Sequence, residues 1–395
     1  MFIFSNRSEL SDPHAMLITM KNTFKNMVAL LIGLIVSFLI AEVVVRYFYA
    51  DKIRIRGEKL SLARNLRMVI DNHTIPGLDP VVLHSKNSLG FRGPPLPEHP
   101  DAYYKIITVG GSTTESTYIS DGKTWPDLLT KKIETNFKNI WLNNAGLEGH
   151  STFGHKILLE DSFFREIHPQ MILFLIGIND MRRSDLVIGD QRTLKQHDTP
   201  WIELPLEMQV RTILFQIVDH SELSNFLLNL YRYLKAKRQG IIHHTIDVKQ
   251  LPLQELPTQH YKEVLASNAE LVTKYQERVL HLIHLSREMK SVPVFITQPS
   301  LLGCETDTDT GVNLAQVRVG QDNGCLRWQE LELYNDALRK LSRQQSVYLI
   351  DLAKEFPHRS SYFYDFYHFN NAGSEAVANI ISQRLHAILE KEIPL

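Results

Sequence analysis

Cysteine is scarce in this chain: Cys304 and Cys325 are the only two in 395 residues. Two thiols exclude a Cys-rich zinc module and a dense disulfide framework. Charge of a single sign is also missing, with 43 Lys and Arg against 44 Asp and Glu and a formal net charge of −1. Without a global positive field, no nucleic-acid partner is expected. Glycine (19) and proline (17) are too sparse for a low-complexity protein. No internal repeat stands out, and the Gly-x-x-x-x-Gly-Lys phosphate loop is absent. No His, Cys or carboxylate cluster accompanies the late Asp365 and His368 pair, which makes a metal site there unattractive. What is there, at 44% hydrophobic and 22% charged, is a globular chain with residues enough for one large or two medium domains.

The longest apolar run is Met27–Val45, nineteen residues with one charge, Glu42. At 1.5 Å per residue it spans roughly 28 Å, enough to cross a bilayer core. A cleaved signal peptide and a buried core helix compete with an uncleaved anchor. The run lacks a good small-x-small cleavage site, since Leu39 stands two before Ala41. Glu42 and Arg46 are spaced to pair near the interface, where Tyr47, Phe48 and Tyr49 suit an aromatic belt. Arg7, Lys21 and Lys25 precede the run; Lys52, Arg54, Arg56 and Lys59 follow it. That count alone favours a cytoplasmic body. Long domains translocate largely regardless of charge, however, and an extracytoplasmic (periplasmic) body is expected. The expected division is a tail (1–26), a transmembrane anchor (27–48), a turn-rich lead-in (49–104) and one domain (105–395) with an insertion at about 184–257.

Beyond the lead-in, short apolar runs alternate with helical patterns. Strands are expected at Ile106–Val109, Ile140–Asn143, Met171–Ile176, Pro293–Thr297 and Val347–Ile350, and helices at about 123–137, 153–166, 258–289, 327–344 and 372–390. This alternation indicates a parallel sheet covered on both faces. Within the long interval after Ile176, Leu223, Phe226, Leu227, Leu230 and Leu234 recur at helical spacing. Ser221 is the candidate N-cap, Lys235, Lys237 and Arg238 suit the C-terminal end, and Gly240 is the stop. This helix packs on the body, or serves as a lid, a cleft wall or a membrane-resting element.

Four short blocks carry chemistry. In KIITVGGSTTES a strand runs through Gly110-Gly111 into Ser112, a candidate nucleophile at the strand's carboxyl end. The same residues also read as a capping box, with Ser112 as N-cap and Glu115 at N3. In NNAGLEGHST, Gly149 has no side chain to obstruct its backbone N–H, a candidate oxyanion donor; taken alone, the block reads first as a plain strand-to-helix turn. In LFLIGINDMRR, Asn179 follows a strand and offers a side-chain amide as a second donor. Asp180 orients neighbouring loops or merely starts a turn. In YDFYHFNNAGSEAVANII, Asp365 and His368 stand three apart before a helix that Asn370 or Asn371 would cap. The carboxylate can hold one imidazole nitrogen while the other takes a proton from a serine. Taken alone, the pair also reads as an ordinary surface contact.

In this order and strand-helix context the four blocks resemble the SGNH hydrolases, also called GDSL-like esterases and lipases. The likeness covers about 105–181 and 345–390, roughly a third of the chain. Block one departs from the family's Gly-Asp-Ser-Leu, reading Gly110-Gly111-Ser112-Thr113; the nucleophile survives, and any role of the missing Asp does not. Trp125-Pro126 is similar to a Trp-Pro found after block one in many members. Asn87-Ser88-Leu89-Gly90-Phe91-Arg92-Gly93 looks like a lead-in of membrane-anchored bacterial members.

The resemblance implies a three-layer α/β/α fold of flavodoxin-like kind with a five-stranded parallel sheet, and a serine ester hydrolase. Ser112 would be the nucleophile, His368 the general base and Asp365 its partner, with neither a metal nor an organic cofactor needed. The backbone N–H groups of Ser112 and Gly149 and the amide of Asn179 would form the oxyanion hole. A small-molecule or glycan ester at the cell envelope is the expected substrate, with the membrane met through the N-terminal helix. A glycan O-acyltransferase with the same site and an inactive glycan-binding or assembly subunit are the alternatives. In an oxidising compartment Cys304 and Cys325 are expected to form a disulfide; in the cytoplasm they would be two thiols.

Overall fold

The computed structural model describes residues 13–49, 55–56, 59–60, 62–73, 75–183, 220–238 and 245–393. Arg7, Lys52, Arg54, the stop at Gly240, and residues 184–219 and 239–244 of the expected insertion lie outside the described residues. Helix α1 (Pro13–Tyr49) contains one stretch, Lys21–Tyr49, long and apolar enough to cross a membrane. Only 6% of its apolar window is buried, unlike a core helix, and the stretch has the length and composition of a signal sequence or an anchor.

The lead-in forms an antiparallel hairpin of β1 (Arg67–Asp71) and β2 (Val81–Ser85). Then follow β3 (Tyr104–Gly110), the one-turn α2 (Ser112–Glu115), α3 (Trp125–Ile133), β4 (Ile140–Asn144), α4 (Thr152–Glu160), α5 (Ser162–Glu166) and β5 (Met171–Ile176). Helices α6 (Glu222–Arg238), α7 (Thr258–Ser267) and α8 (Ala269–Glu288) lead to β6 (Val292–Thr297), α9 (Gly324–Gln345), β7 (Tyr348–Ile350) and α10 (Asn371–Glu392). Strands β3 to β7 make one parallel sheet in the order β7-β6-β5-β3-β4.

Side chains explain the layers. All six residues of β5 are buried, which suits a strand covered on both faces. On one face Leu173, Leu175, Val294 and Ile296 meet Trp125 and Leu129 of α3 and Ile381 and Leu385 of α10. On the other, Ile172, Phe174, Ile107 and Phe295 meet Val279 and Leu282 of α8 and Leu338 of α9. Each buried aliphatic side chain contributes about 1.5–3 kcal/mol. The result is the expected α/β/α sandwich.

Two expected helices are broken in two. The run 153–166 divides at Asp161, whose backbone is extended and whose carboxylate accepts the Phe163 N–H at 3.0 Å. The run 258–289 divides at buried Asn268, whose amide donates to the Val264 carbonyl and to Glu330, each at 2.9 Å. In both, a short polar side chain competes with the helix for backbone partners. Helix α9 starts three residues early because Asn323 caps it through the Leu326 N–H, and Asn370 caps α10 through the Gly373 N–H.

The single charge of the apolar run is fully used. Glu42 accepts hydrogen bonds from the Ser221 hydroxyl and the N–H groups of Glu222 and Leu223, all at 2.9 Å, and pairs with Arg46 at 2.9 Å. It therefore caps the N-terminus of α6, where an acidic group is favoured. Ser221 also caps locally, accepting from the Ser224 N–H at 3.1 Å.

Candidate active site

Strand β3 lies between β4 and β5, so chain order reverses there, the place where open α/β sheets hold ligands. Its last residue, Gly110, must be glycine: a Cβ would run into Thr114 Oγ1 and the Leu175 carbonyl. A Cβ on Gly111 would strike the amide nitrogen of Asn179. The two glycines thus let the Ser112 turn and the Asn179 loop close on each other.

The N-cap of α2 is Gly111, with Ser112 in the first helical position. The capping-box reading of Ser112 and Glu115 is corrected here. The Ser112 hydroxyl lies 2.7 Å from His368 Nε2, and the Glu115 carboxylate turns to Lys86 and the Glu148 N–H. A tertiary partner has displaced the local one.

His368 Nδ1 is 2.6 Å from Asp365 Oδ2. The other oxygen, Oδ1, accepts the N–H groups of Tyr367 (2.8 Å) and His368 (2.7 Å). A carboxylate only accepts, so the imidazole proton sits on Nδ1 and Nε2 turns its lone pair to the Ser112 hydroxyl. The loop is closed by an antiparallel bridge between Phe363 and Phe369 and by the Tyr364 N–H to the His368 carbonyl at 3.0 Å. The Tyr364 ring stacks on the imidazole at 5.5 Å. Burial first, then Asp365 and Glu148, push the Tyr364 phenol well above its ordinary value. It is a neutral wall.

Asn179 sits in the turn directly after β5 and donates to the His150 carbonyl at 2.9 Å. An amide nitrogen carries two hydrogens, so one is left for a ligand. Gly149, one residue before His150, has φ +71°, a left-handed backbone that favours glycine; its carbonyl accepts from Arg183 at 3.4 Å. Asp180 is fully buried and accepts from the Thr152 N–H at 3.2 Å, the Thr152 hydroxyl at 2.5 Å and Arg278 at 3.3 Å. It ties block three to block two. His155, behind this loop, is driven down to about 3 by burial and then by Arg183, and stays neutral.

A small cavity, partly open to solvent, lies beside Ser112 and His368, walled by Thr113, Ser116, Tyr118, Ile119, Tyr364 and Phe369. Ile119, Tyr364 and Leu78 of the lead-in form a small apolar cluster behind it. Among the described residues no group of three His, Cys, Asp or Glu could hold a metal ion.

Sequence reasoning missed the polar frame under the site. Arg92 is 2% exposed and donates to the carbonyls of Glu115 (2.8 Å), Ser116 (2.6 Å) and Ile119 (2.8 Å) and to Asp121 (2.8 Å). Its backbone pairs with Asn144 at the end of β4. The motif from Asn87 to Gly93 was the available signal, though it carried no role. Cys304 and Cys325, the pair expected to bond in an oxidising compartment, form a disulfide. In the loop it closes, Asp307 accepts the Ser360 hydroxyl at 2.6 Å and Asp309 pairs with Arg359, just upstream of Asp365 and His368. The Arg359 guanidinium holds the Asp309 carboxyl down at about 2.

Residues 108–376 match the model of the GDSL-like lipase/acylhydrolase family. Comparison with curated proteins finds no match. Among solved structures the chain is similar to the acetyl xylan esterase AlAXEase (14% identity, 71% of this chain and 98% of that one, TM-score 0.39). It is also similar to the psychrotrophic esterase EstA from Pseudoalteromonas sp. (10% identity, 73% and 99%, TM-score 0.37). A third is a variant of an acetyl-xylooligosaccharide esterase from Geobacillus stearmophilus (11% identity, 74% and 95%, TM-score 0.37).

Proposed function

The chain belongs to the GDSL-like lipase/acylhydrolase family of carboxylic ester hydrolases, and on that premise we propose that it cleaves short O-acyl esters of carbohydrates or similar alcohols at the cell envelope. The observation that carries the reading is the continuous relay from Asp365 through His368 to Ser112, with contacts of 2.6 and 2.7 Å. Ser112 Oγ attacks the ester carbonyl as His368 Nε2 takes its proton. Asp365 stabilises the imidazolium so formed. The negative carbonyl oxygen is met by the N–H groups of Ser112 and Gly149 and the spare amide hydrogen of Asn179. Collapse passes the proton from His368 to the leaving alcohol and leaves an acyl-Ser112. Water, deprotonated by His368, then releases the acid.

The cavity supports a small acyl group. Its walls combine aromatic and aliphatic side chains, Tyr118, Ile119, Tyr364 and Phe369, with the short Thr113 and Ser116, and the space they enclose is small. With p-nitrophenyl esters, kcat/KM for acetate should exceed that for octanoate by at least about tenfold, since buried walls leave extra methylenes unaccommodated. An octanoate preference would sink the short-acyl reading. Acetylated xylo-oligosaccharide should release acetate at a rate unaffected by added unacetylated glycan. Acetyl transfer to that glycan in preference to water would make the protein an O-acyltransferase, and no turnover at all would leave a binding subunit.

The proposed organisation is a tail (1–26), an anchor (27–48), a lead-in (49–104) and a catalytic domain (105–395), with the domain on the extracytoplasmic side. The Cys304–Cys325 bond supports that side, because disulfides persist in oxidising compartments. Thiol titration of envelope-purified, denatured, unreduced protein should find no free thiol; two would overturn the placement. Replacing both cysteines by serine should lower stability by about 3 kcal/mol, the chain-entropy value for a loop of this size.

A further inference from the structure

Between the Ser112 turn and the Gly149 loop lies a buried ion pair. Glu115 closes the one-turn helix that begins at Ser112, and Glu148 precedes Gly149. One Glu115 oxygen receives Lys86 Nζ at 2.6 Å, with both side chains under 10% exposed (6% and 7%). The other receives the backbone N–H of Glu148. The same seam is drawn close by other contacts. Asn144 donates to the Thr114 carbonyl at 2.6 Å and accepts the Gly146 N–H at 2.8 Å. A Cβ on Gly146 would collide with the backbone of Glu115. The far side of the loop is held by Asn179 on the His150 carbonyl. Two proposed oxyanion donors therefore stand on segments joined through the Glu115 carboxylate. Its neighbour His84 is no rival cation, since burial, then Arg92, lower it to about 4.

We propose that Glu115, neutralised by Lys86, is a positioning residue that sets the spacing of the oxyanion hole by pinning the Leu147–Glu148 peptide, one residue before the Gly149 N–H, to the nucleophile turn. This rests on the reading of Ser112 and Gly149 as oxyanion donors. An unneutralised carboxylate so near the developing oxyanion would oppose it, so Lys86 supplies the charge balance that lets the pin be a carboxylate. Glu115 and Lys86 touch no reacting atom; they act through the backbone of Glu148.

The two properties, reach and charge, are separable. Glu115→Asp keeps the charge and Lys86's partner but shortens the reach by about 1.5 Å. Glu115→Gln combined with Lys86→Met removes both charges at once and keeps an oxygen at the original reach. Burst titration with a p-nitrophenyl alkylphosphonate, whose phosphonyl-serine does not turn over, counts competent Ser112 in each preparation, and wild-type protein that neither gives this burst nor hydrolyses p-nitrophenyl acetate would refute the serine-esterase reading itself. Given a burst, Glu115→Asp should lose at least about tenfold in kcat per titrated site with KM within about twofold, because small misplacements of catalytic groups are heavily felt. The double variant should stay within about threefold of wild type in kcat. A purely structural pair would change the thermal midpoint and leave kcat per site alone. Wild-type kcat in Glu115→Asp, a loss confined to KM, or no rescue in the double variant would each overturn the proposal while leaving the esterase reading standing.

Discussion

Ser112→Ala is expected to remove all measurable ester turnover, a fall of about 10⁴-fold or more, as removal of a triad nucleophile does elsewhere. The structure argues that this loss comes without unfolding. Ser112 is not the cap of α2; that position belongs to Gly111, and the serine hydroxyl contacts His368 instead. A capping role would have given the opposite pattern, with stability reduced by about 0.5–2 kcal/mol and activity kept. Turnover on p-nitrophenyl acetate and the thermal midpoint, read on the same preparation, separate the two outcomes. An alanine variant with wild-type kcat would end the assignment of Ser112 as nucleophile. Retained fold with lost turnover is the result expected.

What sequence could reveal here depended on whether the physical cause was local. Strand β5 was legible to the residue, because six consecutive apolar residues buried on both faces leave the same trace in sequence and in space. The broken helices were not: apolar periodicity passes straight through Asp161 and Asn268, and only their side-chain bonds show the break. The Ser112–Glu115 stretch was ambiguous for a related reason. Its pattern satisfies a capping box, and the partner that decides otherwise, His368, is 256 residues away. The frame of the site was least legible. Arg92 reads as one more charge in a turn-rich lead-in until its guanidinium meets carbonyls 23 to 27 residues on. Glu42 likewise reads as a flaw in an apolar run, although it caps a helix starting some 180 residues later. The candidate site itself surfaced through order and spacing of blocks, since each block in isolation had an ordinary structural explanation.

The second large effect concerns Asp365, and its sign follows from how the two carboxylate oxygens are used. Oδ1 is occupied by two backbone donors, the N–H groups of Tyr367 and His368, while Oδ2 faces His368 Nδ1. In Asp365→Asn the amide oxygen must take the Oδ1 position, because an NH₂ group there would confront two N–H donors. The NH₂ group is then forced toward Nδ1 and donates to it. The imidazole proton moves to Nε2, which now presents a hydrogen rather than a lone pair to the Ser112 hydroxyl. The general base is lost although no contact has lengthened. A fall in kcat of about 10⁴-fold is expected, the size seen where this substitution fixes the wrong tautomer. The thermal midpoint should move little, since both backbone hydrogen bonds survive. Nitrogen-15 NMR of histidine-labelled protein gives the independent reading, with the His368 proton on Nδ1 in the wild type and on Nε2 in the variant. A variant within about tenfold of wild-type kcat, or one that keeps the Nδ1 tautomer, would show that Asp365 does not govern His368.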